Sequence, residues 1–214
     1  MAGKRAETLL ALMERIETFT LRRVWTELSD EEFFWEPVAG AWGVRRRDEC
    51  RTSTPYGDGE WVADFDIDVA VAAIDGRDAE PMTTIGWLLW HIGSQPGRLV
   101  EVDVFGGGHT MASGWTSPYL TYHPVFDRAA DATAALREGW HTLRTAIDGA
   151  DDERLETPTA TYTYAAEPPS AGLAAVGPPG PELPAYFFVT ATLNELSHHG
   201  AQVCALRDLY RWTR

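Results

Sequence analysis

Cysteine is scarce in this chain: only Cys50 and Cys204 occur among 214 residues. Two cysteines make no disulfide framework, and a chain of this length needs no such staple. Neither sits in a metal-type or redox-type pair, so a reduced, cytoplasmic protein is the expectation. Positive charge is also short. Lys plus Arg number 18 against 32 Asp plus Glu, a formal net charge of −14. Such a surface repels phosphate backbones and anionic bilayers, so neither nucleic acid nor membrane is an expected partner. The one basic run, Arg45 to Arg47, is too short to change that. No stretch of 18 apolar residues exists, which excludes a transmembrane helix. Glu7, Glu14 and Glu17 interrupt the first apolar segment, unlike a signal-peptide core. Gly-x-Ser-x-Gly and Gly-x-x-x-x-Gly-Lys motifs are missing too. Gly106 to Gly108 follow a predicted helix rather than a strand, so they are no nucleotide fingerprint.

What remains is an ordinary globular composition, 44% hydrophobic, with nine tryptophans. The length suits a single domain over 1–214. Residues 5–28 carry Leu9, Leu12, Met13, Ile16, Phe19, Val24, Trp25 and Leu28 at helical spacing. Ser29 followed by Glu32 is a capping-box pattern, so a short helix starts there and ends before Pro37. Residues 39–80 read as a long irregular excursion, with strand-like fragments such as Ile67 to Val71. Residues 82–103 form a second helix, capped by Thr83 or Thr84 and broken near Ser94 by Pro96. A loop from His109 to Pro124 follows. A third helix covers 126–148, with Asp127 as a candidate cap, and Asp151 to Glu156 adds a turn. Residues 157–183 are rich in Pro, Ala and Gly, and Thr159 to Tyr164 reads as a lone strand or a packed loop. Residues 184–210 are a fourth helix, apolar almost all round and therefore central. Four helices of this length predict an all-α four-helix bundle with long irregular loops.

The fourth helix carries Asn194-Glu195-Leu196-Ser197-His198-His199-Gly200. Glu195 lies three residues before His198 and four before His199, so either imidazole can share its face. Glu-x-x-His is the spacing of carboxylate metal sites inside helix bundles. A zinc-protease His-Glu-x-x-His motif would need histidine at 194, where this chain has asparagine. Gln202 and Arg207 follow on later turns. Polar groups at the middle of an apolar helix need partners. His91, halfway along the second helix, can meet them across the bundle. Two imidazoles with a carboxylate or amide suit zinc, nickel or iron. Which of His198 and His199 faces inward stays open. His109, His123 and His141 have no partner at ligand spacing and read as structural.

Three segments resemble the DinB-like superfamily of metalloenzyme bundles, which includes mycothiol- and bacillithiol-dependent S-transferases. They are Leu28 to Pro37 with Ala41 to Arg45, Thr84 to Ile92, and Glu195 to Gln202 with Leu206 to Tyr210. The resemblance implies an up-down-down-up bundle, often a homodimer, that binds a divalent metal through three histidines. His91 matches the ligand of the second helix and His198 the second ligand of the fourth. Asn194 stands where the remaining histidine belongs, so Glu195 or His199 must complete the set. The expected metal residues are therefore His91, His198, Glu195 and Asn194, with Glu195 and His199 as catalytic candidates. The implied activity is metal-assisted transfer of a low-molecular-weight thiol to a small-molecule substrate, or a related hydrolase or isomerase reaction. The alternative is a bundle without catalysis, whose polar core binds a small ligand or supports self-association.

Overall fold

Ala6, Leu9, Met13 and Ile16 line the buried face of α1 (Lys4–Ile16) in the computed structural model of the protein. That structure describes residues 3–53, 55–74, 79, 81–98, 100, 124–159 and 183–214. The next buried residue, Leu21, comes five positions after Ile16, which breaks the three-and-four spacing. A π-helical turn, Glu17–Leu21, takes up the extra residue. Leu21 and Val24 thereby stay on the buried side as the chain continues into α2 (Arg22–Trp25). A π-turn is the local device that restores such a register.

The chain then turns through Glu27, a non-glycine residue at φ 51°. Left-handed geometry costs an L-residue about 1–2 kcal/mol, whereas glycine adopts it freely. Glu27→Gly should therefore raise stability by about 0.5–1 kcal/mol, after glycine's greater unfolded-state entropy is subtracted. A higher urea midpoint at constant m-value would show it, and a lower midpoint would contradict it.

The capping box at Ser29 forms as the sequence predicts. Glu32 N–H donates to Ser29 Oγ at 3.1 Å and opens α3 (Asp30–Phe34). The excursion that follows is more ordered than its composition suggests. β1 (Gly43–Arg46) and β2 (Trp61–Asp64) pair antiparallel, with Gly43 opposite Asp64 and Arg46 opposite Trp61. Arg45 holds this hairpin by donating to Asp64 at 3.0 Å, Glu36 at 2.5 Å and the Ala41 carbonyl at 2.7 Å. Asp64 also accepts from Thr52 Oγ1 at 2.7 Å and from the Arg51 and Thr52 N–H groups. The strand-like reading of Ile67 to Val71 is corrected: these residues open α4 (Ile67–Ile74). Asp66 Oδ1 accepts from the Asp68 and Val69 N–H groups and starts that helix.

α5 (Ile85–Gly93) is capped by Thr84, whose hydroxyl accepts from Trp87 N–H at 3.1 Å. The chain breaks at Ser94 and resumes as α6 (Gln95–Arg98), as Pro96 predicts. α7 (Ala129–Asp148) follows. Its first N–H group is satisfied by Asp30, which accepts from Ala129 at 2.7 Å, and not by the neighbouring Asp127. After α8 (Asp152–Glu156) come β3 (Pro158–Thr159) and β4 (Leu183–Pro184), which pair antiparallel. α9 (Ala185–Thr213) ends the chain. Gly106 to Gly108, most of the loop from His109 to Pro124, and Ala160 to Tyr164 lie outside the described residues. The described part is mainly helical.

Contacts along α9 give its direction relative to its neighbours. Arg5 of α1 lies over Tyr186. Thr20 lies against Gly200, where an added Cβ would come within 2.7 Å of Thr20 Cγ2. Arg23 pairs with Asp208 at 2.6 Å. The first helix and α9 therefore run the same way. α7 runs against α1, because Glu14 meets Arg144 while Glu17 meets Trp140. α6 crosses α7 closely: a Cβ on Gly139 would lie 2.9 Å from the Gly97 backbone nitrogen. Leu21, Ile92, Leu136, Trp140, Val189, Leu196 and Val203 are fully buried members of one core.

Candidate metal centre

Two helices bring the donors together. α5 presents His91 toward α9, and α9 presents Glu195 and His199 one turn apart. One ligand atom from each of the three lies within 4.8 Å of the others. His91 Nε2 is 3.6 Å from Glu195 Oε2, and His199 Nε2 is 3.2 Å from the same oxygen. The two imidazole rings meet edge to face at 4.8 Å.

Each side chain is aimed by its surroundings. Trp42, Tyr56 and Phe65 of the hairpin region pack on Trp87 and Trp90 of α5, with Trp42 and Trp87 centroids 5.6 Å apart. Trp87 in turn stacks on the His91 ring at 5.2 Å, the planes inclined by 10°. The ordered excursion thus reaches the centre through one indole. The Gln95 amide donates to the His91 carbonyl at 3.0 Å, just before the helix break. On α9, His199 is 7% exposed, and its Nδ1 lies 2.7 Å from Gln202 Oε1. Hydrogen bonds from His199 and then His91 hold the Glu195 carboxyl far below the usual carboxylate range, against the opposing effect of burial.

The expected site residues divide accordingly. His91, Glu195 and His199 converge. Asn194 and His198 lie on the exposed face of α9, and neither joins the cluster. His198 stacks on His199 at 4.6 Å, and its Nε2 lies 3.5 Å from the Gln202 amide nitrogen. Trp42 packs on Trp87, and Trp87 reaches the site through its stack on His91. His141 is exposed on α7, and His109 and His123 lie outside the described residues. A signal separating the two α9 histidines was present in the sequence. Val189, Leu196, Val203 and Leu206 recur at helical spacing, and position 199 falls on that stripe while 198 does not.

The donor set fits a first-row divalent ion. With metal–ligand distances of about 2.0–2.2 Å, such an ion needs donor atoms roughly 3.0–3.5 Å apart. Of the two contacts at Glu195 Oε2, 3.2 Å falls within that spacing and 3.6 Å lies just beyond it, and all three donors lie within 4.8 Å of one another. The side chains of His91 and Glu195 keep 29% and 41% exposure, which leaves an open side for a further ligand.

No helix among the described residues is long and apolar enough to cross a membrane. No curated protein and no solved structure matches the chain. A family model, however, spans residues 18–203 and so takes in all three converging donors. With that match over most of its length, the chain belongs to the DinB superfamily.

Proposed function

We propose that the protein is a DinB-type metal-dependent enzyme, with one divalent ion held by His91, Glu195 and His199. The observation that carries this reading is a convergence of acceptors. Gln202 Oε1 can only accept, so its 2.7 Å contact puts a proton on His199 Nδ1. In a neutral ring, Nε2 then carries a lone pair. That lone pair points at the Glu195 carboxylate from 3.2 Å, and His91 Nε2 faces the same oxygen. A cation between these atoms, a metal ion or a proton, relieves their repulsion. Two imidazoles and a carboxylate suit zinc, nickel or iron.

When bound, such an ion supplies Lewis acidity and lowers the pKa of a coordinated thiol or water. The chain's own residues do the rest. Trp87 fixes the plane of His91, Glu195 supplies the negative charge, and the exposed side of the cluster admits a small molecule. The reaction we assign is transfer of a low-molecular-weight thiol to a small electrophilic substrate. It rests on the family and on this open side. Glu195 and His199 then act as ligands rather than as an acid–base pair. We also read α1–α2, α5–α6, α7 and α9 as an up-down-down-up four-helix bundle. The shared direction of α1 and α9, and the opposed direction of α7, support it.

A second reading has one specific support. At 3.2 Å, His199 and Glu195 are also at the distance of a charge-assisted hydrogen bond. A protonated His199 would then stand in for the ion, and the cluster would be a polar core without catalysis. Elemental analysis of protein purified without an affinity tag separates the two. The metal reading expects near-stoichiometric zinc, nickel or iron. It also expects a melting temperature that rises when metal is restored. At 100 times Kd a ligand adds about 2.7 kcal/mol, or roughly 5–10 °C for a chain of this size. No metal and no thermal shift after reconstitution would leave the polar-core reading standing.

A further inference from the structure

Gln202 sits between two imidazoles on the same helix, three residues after His199 and four after His198. Its oxygen faces His199 Nδ1 at 2.7 Å, and its nitrogen faces His198 Nε2 at 3.5 Å. The two ends of an amide are not equivalent: the oxygen accepts and the nitrogen donates. The short contact therefore selects the His199 tautomer that carries its proton on Nδ1. That tautomer sets Nε2, rather than Nδ1, as the atom that meets Glu195. A reversed amide would set N–H groups against Nδ1 and favour a proton on Nε2, where it would block coordination. A His198 Nε2 that accepts from the amide N–H, across 3.5 Å, favours the orientation with the oxygen toward His199. An exposed histidine outside the donor cluster thus acquires a role, although it supplies none of the donor atoms.

We propose that Gln202 is the positioning residue of the metal centre, locking His199 in its ligating tautomer and ring plane, with His198 setting the orientation of the amide. This rests on the metal reading of the site. Supporting hydrogen bonds to a ligating histidine govern its tautomer and basicity, and losing one costs about 10–100-fold in metal affinity.

The test compares zinc affinity, by chelator competition, in the wild type, Gln202→Ala, Gln202→Glu and His198→Ala. Nitrogen-15 spectra of the metal-free proteins at alkaline pH report the His199 tautomer in parallel. Gln202→Ala should weaken zinc by about 10–100-fold and lose the pure Nδ1–H signature. Gln202→Glu keeps an acceptor oxygen in place and should bind at least as tightly as the wild type. His198→Ala should fall between the wild type and Gln202→Ala. The melting temperature of the metal-free protein should stay constant across the series, which a purely structural role for Gln202 would not give. Zinc affinity in Gln202→Ala within twofold of wild type would overturn the proposal. So would a Gln202→Glu variant as weak as the alanine variant, or an Nε2–H tautomer in the wild type. A wild type that binds no zinc would instead refute the metal reading itself. The wild-type arm therefore tests the centre, and the variant arms test the role of Gln202.

Discussion

His199→Ala should empty the metal centre, whereas Asn194→Ala and His198→Ala should leave it filled. Positions 198 and 199 differ by about 100° around the helix axis. That rotation separates a donor that is 7% exposed and turned toward Glu195 from an imidazole on the outer face. Removing His91, Glu195 or His199 deletes one of three donors. Each loss should lower affinity by more than the roughly 10–100-fold that a supporting hydrogen bond contributes. Glu195→Gln is the sharpest of the three. It preserves shape and packing while removing the charge that balances a divalent ion. Metal content per chain, measured after equal exposure to zinc and gel filtration, is the readout. His198→Ala should retain the ion through gel filtration, since His198 supplies no donor atom and reaches His199 only through the ring stack and Gln202. If His198→Ala emptied the site and His199→Ala did not, the ligating face of α9 would be the outer one.

The helices were legible because their apolar residues repeat with the helical period and their caps are local. Ser29 with Glu32 and Thr84 with Trp87 act within three residues, so sequence spacing marks the first and narrows the second to Thr83 or Thr84. Pro96 marks the break at Ser94 for the same reason. The β1–β2 hairpin was not legible. Its strands are four residues each, and arginine-rich β1 satisfies its charges through Glu36 and Asp64, which are distant in sequence. Ile67 to Val71 misled because a run of Ile, Val and Ala fits a buried strand as well as a helix. The cap at Asp66 was the signal that could have decided it. At the candidate metal centre, the sequence singled out His91, Glu195 and His199 on two helices, and the structure brings these three together. The choice between adjacent histidines was harder, because α9 buries residues over most of its circumference and shows little amphipathic contrast. Only the narrow stripe through Leu196, position 199 and Val203 marks the inner side.

Arg207→Met should destabilise the fold more than any other single substitution outside the core. Arg207 is 3% exposed, and its guanidinium gathers groups from three consecutive segments. It meets both oxygens of buried Glu32, at 3.0 and 3.3 Å. It also donates to the Thr26 carbonyl at 2.8 Å, the Glu27 carbonyl at 3.0 Å and the Arg23 carbonyl. These carbonyls end α2 and form the turn into α3, where helical hydrogen bonding has stopped. One side chain thus satisfies the end of the first helix, the left-handed turn at Glu27 and the capping-box glutamate, and ties all three to α9. Methionine fills similar volume but donates nothing. It would leave buried Glu32 with only the Ser29 N–H at 3.5 Å and Arg211 at 4.0 Å, together with orphaned carbonyls. Breaking a buried pair from one side costs about 3–5 kcal/mol, a large part of the roughly 5–15 kcal/mol that holds a domain folded. The melting temperature should fall by roughly 6–20 °C at about 2–4 °C per kcal/mol. Lysine should recover only part of this, because one ammonium cannot span a carboxylate and three carbonyls at once. The double variant Glu32→Gln with Arg207→Met should be less unstable than the sum of the single variants, since the stranded charge is gone. Additive losses in that cycle would mean that Arg207 acts on the carbonyls alone, and a loss under about 1 kcal/mol in Arg207→Met would remove it as the tie between α9 and the first turn.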